Sequence, residues 1–115
     1  MVEVNGNKIT MTRGDTLRLK VGIAVDNEEY TPNENDIVRF ALKHSALNAA
    51  QTDYADTEPL VLKTIPNETL ILELEPTDTK ALGFGKYDYD IQITFEDGTV
   101  DTFISDTLKL TKEVD

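Results

Sequence analysis

The side chains that could do chemistry are mostly carboxylates: 22 Asp and Glu stand against 11 Lys and Arg, with one His and no Cys. They gather in three places. Asp26, Glu28, Glu29, Glu34 and Asp36 flank one loop, Asp53, Asp56 and Glu58 sit in another, and Asp88 and Asp90 share a phase that Asp101 joins across a hairpin. Two chemistries suit such sets. Calcium takes six to eight oxygens from spaced Asp residues in a glycine-bearing loop, and a carboxyl pair held across a cleft hydrolyses glycosides. None of the three sets has the D-x-D-x-D-G spacing. A chain this short leaves little room for a substrate cleft, so solubility and edge protection explain these residues equally well. Arg13-Gly14-Asp15 spells an integrin-binding tripeptide, but between Thr12 and Thr16 it reads as a turn in which Gly14 supplies the unusual φ. His44 has no Ser nucleophile motif near it and no Cys to activate. Glycine-rich phosphate loops and H-E-x-x-H are missing. Tyr30 and Tyr54 sit in loops, where they either contact a sugar or partner or cap the core. The expectation is no catalytic residue, no metal site and no cofactor.

The formal net charge of -11 argues against nucleic acid or an anionic membrane as partner. The lack of Cys rules out a disulfide framework and thiolate metal sites and fits a reducing compartment. Met1-Val2-Glu3-Val4-Asn5-Gly6 has no signal-peptide pattern. No run approaches the roughly 20 apolar residues of a membrane span, and the C-terminus carries no lipidation motif. The expectation is synthesis in the cytosol.

The elements that position these side chains follow a period of two. Leu17, Leu19, Val21, Ile23 and Val25 alternate with polar or small residues, as do Tyr87, Tyr89, Ile91, Ile93 and Phe95. Leu70, Leu72 and Leu74 repeat the pattern, and Val38, Phe40 and Leu42 form a shorter version. A helix would mix the intervening charges into its apolar stripe. Asp97-Gly98 between two extended runs predicts a hairpin with a primed turn, and Asn5-Gly6 predicts another for residues 2–11. Residues 66–68 read as a tight connection. Residues 76–82 read as one helical turn capped by Thr77 or Asp78. The last strand, 99–110, holds a bulge near Ser105-Asp106. Residues 44–58 lack any period and form either a short helix around 46–51 or a mobile connection. With no repeat or linker, the chain reads as one domain, 1–115.

About seven strands, each with one apolar face, predict an all-β, immunoglobulin-like antiparallel β-sandwich with one short helical turn. Leu82-Gly83-Phe84-Gly85-Lys86-Tyr87 adds a tyrosine corner, in which the Tyr87 hydroxyl bonds to backbone a few residues upstream and Tyr89 is buried below it. Gly14, Asp15, Asp97 and Gly98 complete the expected structural positions.

Five stretches, taken in order, carry a resemblance. They are Ile9-Thr10-Met11-Thr12-Arg13-Gly14-Asp15-Thr16-Leu17, Ile37-Val38-Arg39-Phe40-Ala41-Leu42-Lys43, Pro76-Thr77-Asp78-Thr79-Lys80-Ala81-Leu82, Gly85-Lys86-Tyr87-Asp88-Tyr89-Asp90-Ile91-Gln92-Ile93 and Asp97-Gly98. Together they resemble small immunoglobulin-like proteins of tailed phages and prophages of Gram-positive bacteria, and in particular the N-terminal domain of baseplate upper proteins. The resemblance implies a non-enzymatic virion or virion-assembly component that packs against other phage structural proteins or its own copies. It implies a place in the virion, with assembly in the host cytoplasm. Longer members continue into further segments, and this chain departs from them by stopping after the last strand. No catalytic residue carries over; Gly14, Asp15, Tyr87 and Asp90 match as fold positions. Edge strands and the 44–58 connection, with His44, Leu47 and Tyr54, are the expected contact surface. Two other functions remain open: a module binding host cell-wall glycans through loop tyrosines, and an acidic inhibitor of a host DNA-binding protein.

Overall fold

The computed structural model describes residues 2–25, 27–44 and 59–112. The strands are β1 (Val2–Asn5), β2 (Lys8–Thr12), β3 (Leu17–Lys20), β4 (Ala24–Val25), β5 (Glu28–Glu29), β6 (Ile37–His44), β7 (Val61–Ile65), β8 (Ile71–Leu74), β9 (Gly85–Thr94) and β10 (Val100–Thr111), with one helical turn, α1 (Pro76–Lys80). A six-stranded sheet in the order β1-β2-β10-β9-β6-β7 forms one layer, β3 and β8 pair in the other, and β4 and β5 make a small ribbon. The fold is all-β, as the alternation requires. In β9, Tyr87, Tyr89, Ile91 and Ile93 are buried while Asp88, Asp90, Gln92 and Thr94 are half-exposed; in β6, Val38, Phe40 and Leu42 are buried, with Ala41 buried between them. With Ile9, Met11, Leu108 and Leu110 from the main sheet and Leu17, Leu72 and Leu74 from the second layer, they form one core.

Several expectations need correction. The sandwich is not wholly antiparallel, because β2 runs parallel to β10, with Leu108 beside Ile9 and Thr111 beside Thr12. Both strands end at the pole where α1 lies, since β2 must leave there to cross into the second layer as β3. The run 17–25 is not one strand. Its ladder ends where the Val21 N–H donates to the Leu70 carbonyl, and Leu70, at φ 54°, turns the partner chain away. Val21 and Ile23 stay buried, so the alternation outlives the pairing. In β10 the bulge lies at Phe103, between the pairs Thr102–Gln92 and Ile104–Ile91, and not at Ser105-Asp106. That shift turns Ile104 to the core side and sets Asp106 opposite Tyr89.

The turns follow the same pattern of a right place with a different mechanism. β9 and β10 are joined at Asp97-Gly98, but only Gly98 has positive φ, and its N–H donates to Phe95. A primed type I turn needs positive φ at both central residues, so this is a type I turn closed by a left-handed glycine. The β1–β2 hairpin turns through Gly6 and Asn7, with Gly6 at φ 62°. The cap of α1 is Glu75, whose N–H donates to Asp78 Oδ2 at 2.7 Å, and neither Thr77 nor Asp78 takes that place. Residues 45–58, which include Leu47, Tyr54 and the expected 46–51 helix, lie outside the described residues.

Candidate functional site

At the α1 pole the tripeptide Arg13-Gly14-Asp15 is built into the fold. Gly14 has φ 87°, and its N–H donates to Thr79 Oγ1 at 2.9 Å; Thr79 is fully buried. The Arg13 backbone N–H donates to Thr111, its guanidinium donates to the Leu82 carbonyl at 3.1 Å, and its Cζ stands 4.2 Å from the centre of the Phe84 ring. The Asp15 N–H donates to Thr12. A recognition tripeptide must present its arginine outward, whereas this one spends it on Leu82 and Phe84. The Tyr87 hydroxyl donates to the Gly83 carbonyl at 2.7 Å, four residues upstream, the bond expected of a tyrosine corner. Lys63, on the core-side phase of β7, pairs with Asp78 of α1 at 2.9 Å.

The opposite pole turns on a residue whose role the sequence conceals. Asp36, grouped above with solvating carboxylates, is only 3% exposed. Its Oδ2 accepts from the Tyr30 hydroxyl at 2.5 Å and the Asn33 N–H at 2.9 Å, and its Oδ1 accepts from the Glu96 N–H at 3.0 Å. The Asn67 amide donates to the carbonyls of Asn33 and Asp36. One carboxylate thus ties the 30–36 loop to the β9–β10 hairpin, and Asn67 adds the β7–β8 turn. The phenol bond and the two backbone donors hold the Asp36 carboxyl below its ordinary range, while the same contact pushes the Tyr30 phenol up. The available signal is Asn33-x-x-Asp36, in which a carboxylate three residues on reaches back to an N–H, as in a capping box. Tyr30 is half-buried and edge-on to Phe95 at 5.7 Å, packed against the end of the core.

The other expected sites stay apart. Asp90 pairs with Ser105 while Asp101 pairs with Ile93, so Asp88, Asp90 and Asp101 do not converge. Among the described residues no group of three His, Cys, Asp or Glu is placed to hold a metal, and no helix is long and apolar enough to cross a membrane. Asp97 accepts from the Thr99 N–H at 2.9 Å, which lowers its carboxyl, and acts within the hairpin. Tyr89 is buried and donates to the Asn7 carbonyl; burial, with Asp106 nearby, pushes its phenol up to about 12. His44 is exposed at the end of β6, its ring tilted over Tyr87 at 6.0 Å. Of the expected contact trio it alone is described.

The described residues also form concavities that a partner could meet. The outer face of the main sheet has a shallow groove of about 160 Å³ lined by Arg39, Lys43, Leu62, Asp90 and Gln92, with Leu62 55% exposed. A second cavity of about 160 Å³ opens between the layers, beside β3. Compared with known proteins, the chain matches no family model, no curated protein and no solved structure.

Proposed function

We infer that this chain is a non-enzymatic structural or accessory component of a tailed-phage particle, acting by protein–protein contact in the virion after assembly in the host cytoplasm. The observation that carries the reading is the joint placement of the corner and the strand order. With β3, β6, β7, β8, β9 and β10 read as strands B, C, C′, E, F and G, the pairs B–E and G–F–C–C′ fall in two separate layers, and Tyr87 stands near the start of F. This supports the immunoglobulin-like reading on which the resemblance to phage baseplate proteins depends. The test is mass spectrometry of gradient-purified particles induced from a strain that carries the gene. A copy number that is a multiple of three or six supports the reading; absence from particles, with clear expression in the lysate, overturns it.

One observation favours a second reading. Segments 27–36, 66–70 and 95–99, which Asp36 and Asn67 draw to one pole, hold six exposed carboxylates besides buried Asp36, and no Lys, Arg or His. Such a surface suits a basic partner, including a host DNA-binding protein, and salt-sensitive capture of one would be its signature.

A further inference from the structure

We propose that the edge of β3 turned away from β8, residues 18–22, accepts an extended strand from a partner protein, with an aliphatic side chain of that strand filling the cavity beside it. The Val21 N–H bonds to Leu70, so in this antiparallel ladder Leu17, Leu19 and Val21 direct their backbone groups at β8. Arg18 and Lys20 direct theirs the other way, and among the described residues nothing meets them. An edge with unanswered N–H and C=O groups is a template for one more strand.

Two features separate this edge from an ordinary sheet margin. The first is the cavity, lined by Leu19, Val21, Gly22, Tyr89, Ile91 and Ile104. It lies between β3 and the core side of β9 and β10, where Leu19 and Ile104 are half-buried and border it. The second is Gly22. Its φ is not positive and a Cβ there would meet nothing within 4 Å, so neither backbone conformation nor packing within the molecule requires glycine. Glycine in an extended segment commonly marks the close approach of another backbone.

Charge decides which strand. A second copy pairing edge to edge would set the Arg18 and Lys20 side chains against their own equivalents, and like charges opposite each other are destabilising. Arg18 already pairs with Glu73 at 2.7 Å, on the β8 side. Lys20 forms no ion pair among the described residues, so the strand it favours carries an acidic residue between two aliphatic ones. This inference rests on the protein-contact reading but not on particle origin: absence from particles leaves it standing, and its failure leaves the particle assay untouched.

The test is an NMR titration of the full chain with a capped heptapeptide, TVEVEVT, beside a control, TSESEST, that lacks aliphatic residues. Saturable shifts confined to the amides of Arg18, Lys20 and Gly22 and the methyls of Ile104, absent with the control, are expected. Gly22→Val sets a branched side chain where the added backbone approaches and abolishes the shifts, at an unchanged melting temperature because the site is open space within the molecule. Lys20→Glu, an exposed substitution, weakens binding about threefold. The proposal is overturned by shifts centred on β1 or β7, by equal binding of Gly22→Val, by no saturation at millimolar peptide, or by concentration-dependent dimerisation through β3 without peptide.

Discussion

Replacing Tyr87 with Phe removes one oxygen and tests whether the corner is a bond or only a buried ring. The ring is 7% exposed, so Phe keeps its packing in the core and its tilted contact with His44. What disappears is the 2.7 Å bond to the Gly83 carbonyl. A net hydrogen bond contributes about 1 kcal/mol, and an orphaned buried carbonyl raises the loss toward 3 kcal/mol. Gly83 is exposed, so water re-solvates its carbonyl and the loss stays near the lower figure. At roughly 2.1 cal/mol/K per residue, the unfolding entropy of 115 residues makes 1 kcal/mol equivalent to about 4 °C in Tm. Thermal melts and urea titrations of both proteins should show that drop and a lower midpoint at an unchanged m-value. An equal or higher Tm in the variant would mean that the phenol oxygen does nothing for stability, and the corner would be an aromatic filler.

Two further outcomes follow from the poles. Asp36 has a carboxyl held below its ordinary range, so it stabilises the fold above its unfolded pKa, and that contribution is lost as pH falls through the lower folded value. Asp36→Asn should therefore melt lower at neutral pH yet lose less stability than the wild type on acidification below about pH 4, as followed by Tm against pH; parallel pH profiles would refute the assignment. Thr79→Val, nearly isosteric, leaves the Gly14 N–H without its acceptor and should lower stability by about 1–2 kcal/mol, while Thr79→Ser keeps the oxygen and recovers most of it. If Ser is as costly as Val in chemical denaturation, the methyl group rather than the bond is responsible.

The parts of this fold legible in the sequence are those in which the information is local. Val38-Arg39-Phe40 and Tyr87 to Ile93 alternate because each strand has one buried face, and that face can be read without knowing its neighbour. Tyr87 and Gly83 lie four residues apart, within a single sequence window. Asp36 is different. Its partners Tyr30 and Asn33 are near, but the Glu96 N–H is 60 residues away, and only the folded hairpin turns Asp36 from a solvated carboxylate into a buried acceptor. The pairing of β2 with β10 is as remote, since nothing in Ile9 or Met11 states the direction of Leu108 and Leu110. The break after Lys20 depends on the φ of Leu70, in another strand's turn. Alternation reports a buried face and is silent on which backbone completes the ladder.

The same distinction settles what Arg13-Gly14-Asp15 does. As a string it promises an exposed recognition loop; in the fold its glycine N–H, arginine head group and arginine N–H are committed to Thr79, Leu82 and Thr111, residues 65 or more positions away. Asp36 commits the loops of the opposite pole in the same way. Both ends of the sandwich are thus bound into the folded unit by their own polar groups, and a partner meeting them would have to compete with bonds already made. The backbone groups of Arg18 and Lys20 have no such commitment among the described residues, and they lie on a strand whose inner side is packed by Leu17 and Leu19. A donor row already held extended loses little entropy when a strand is added. The asymmetry between these two committed poles and an edge uncommitted among the described residues is the physical reason to look for contact along β3.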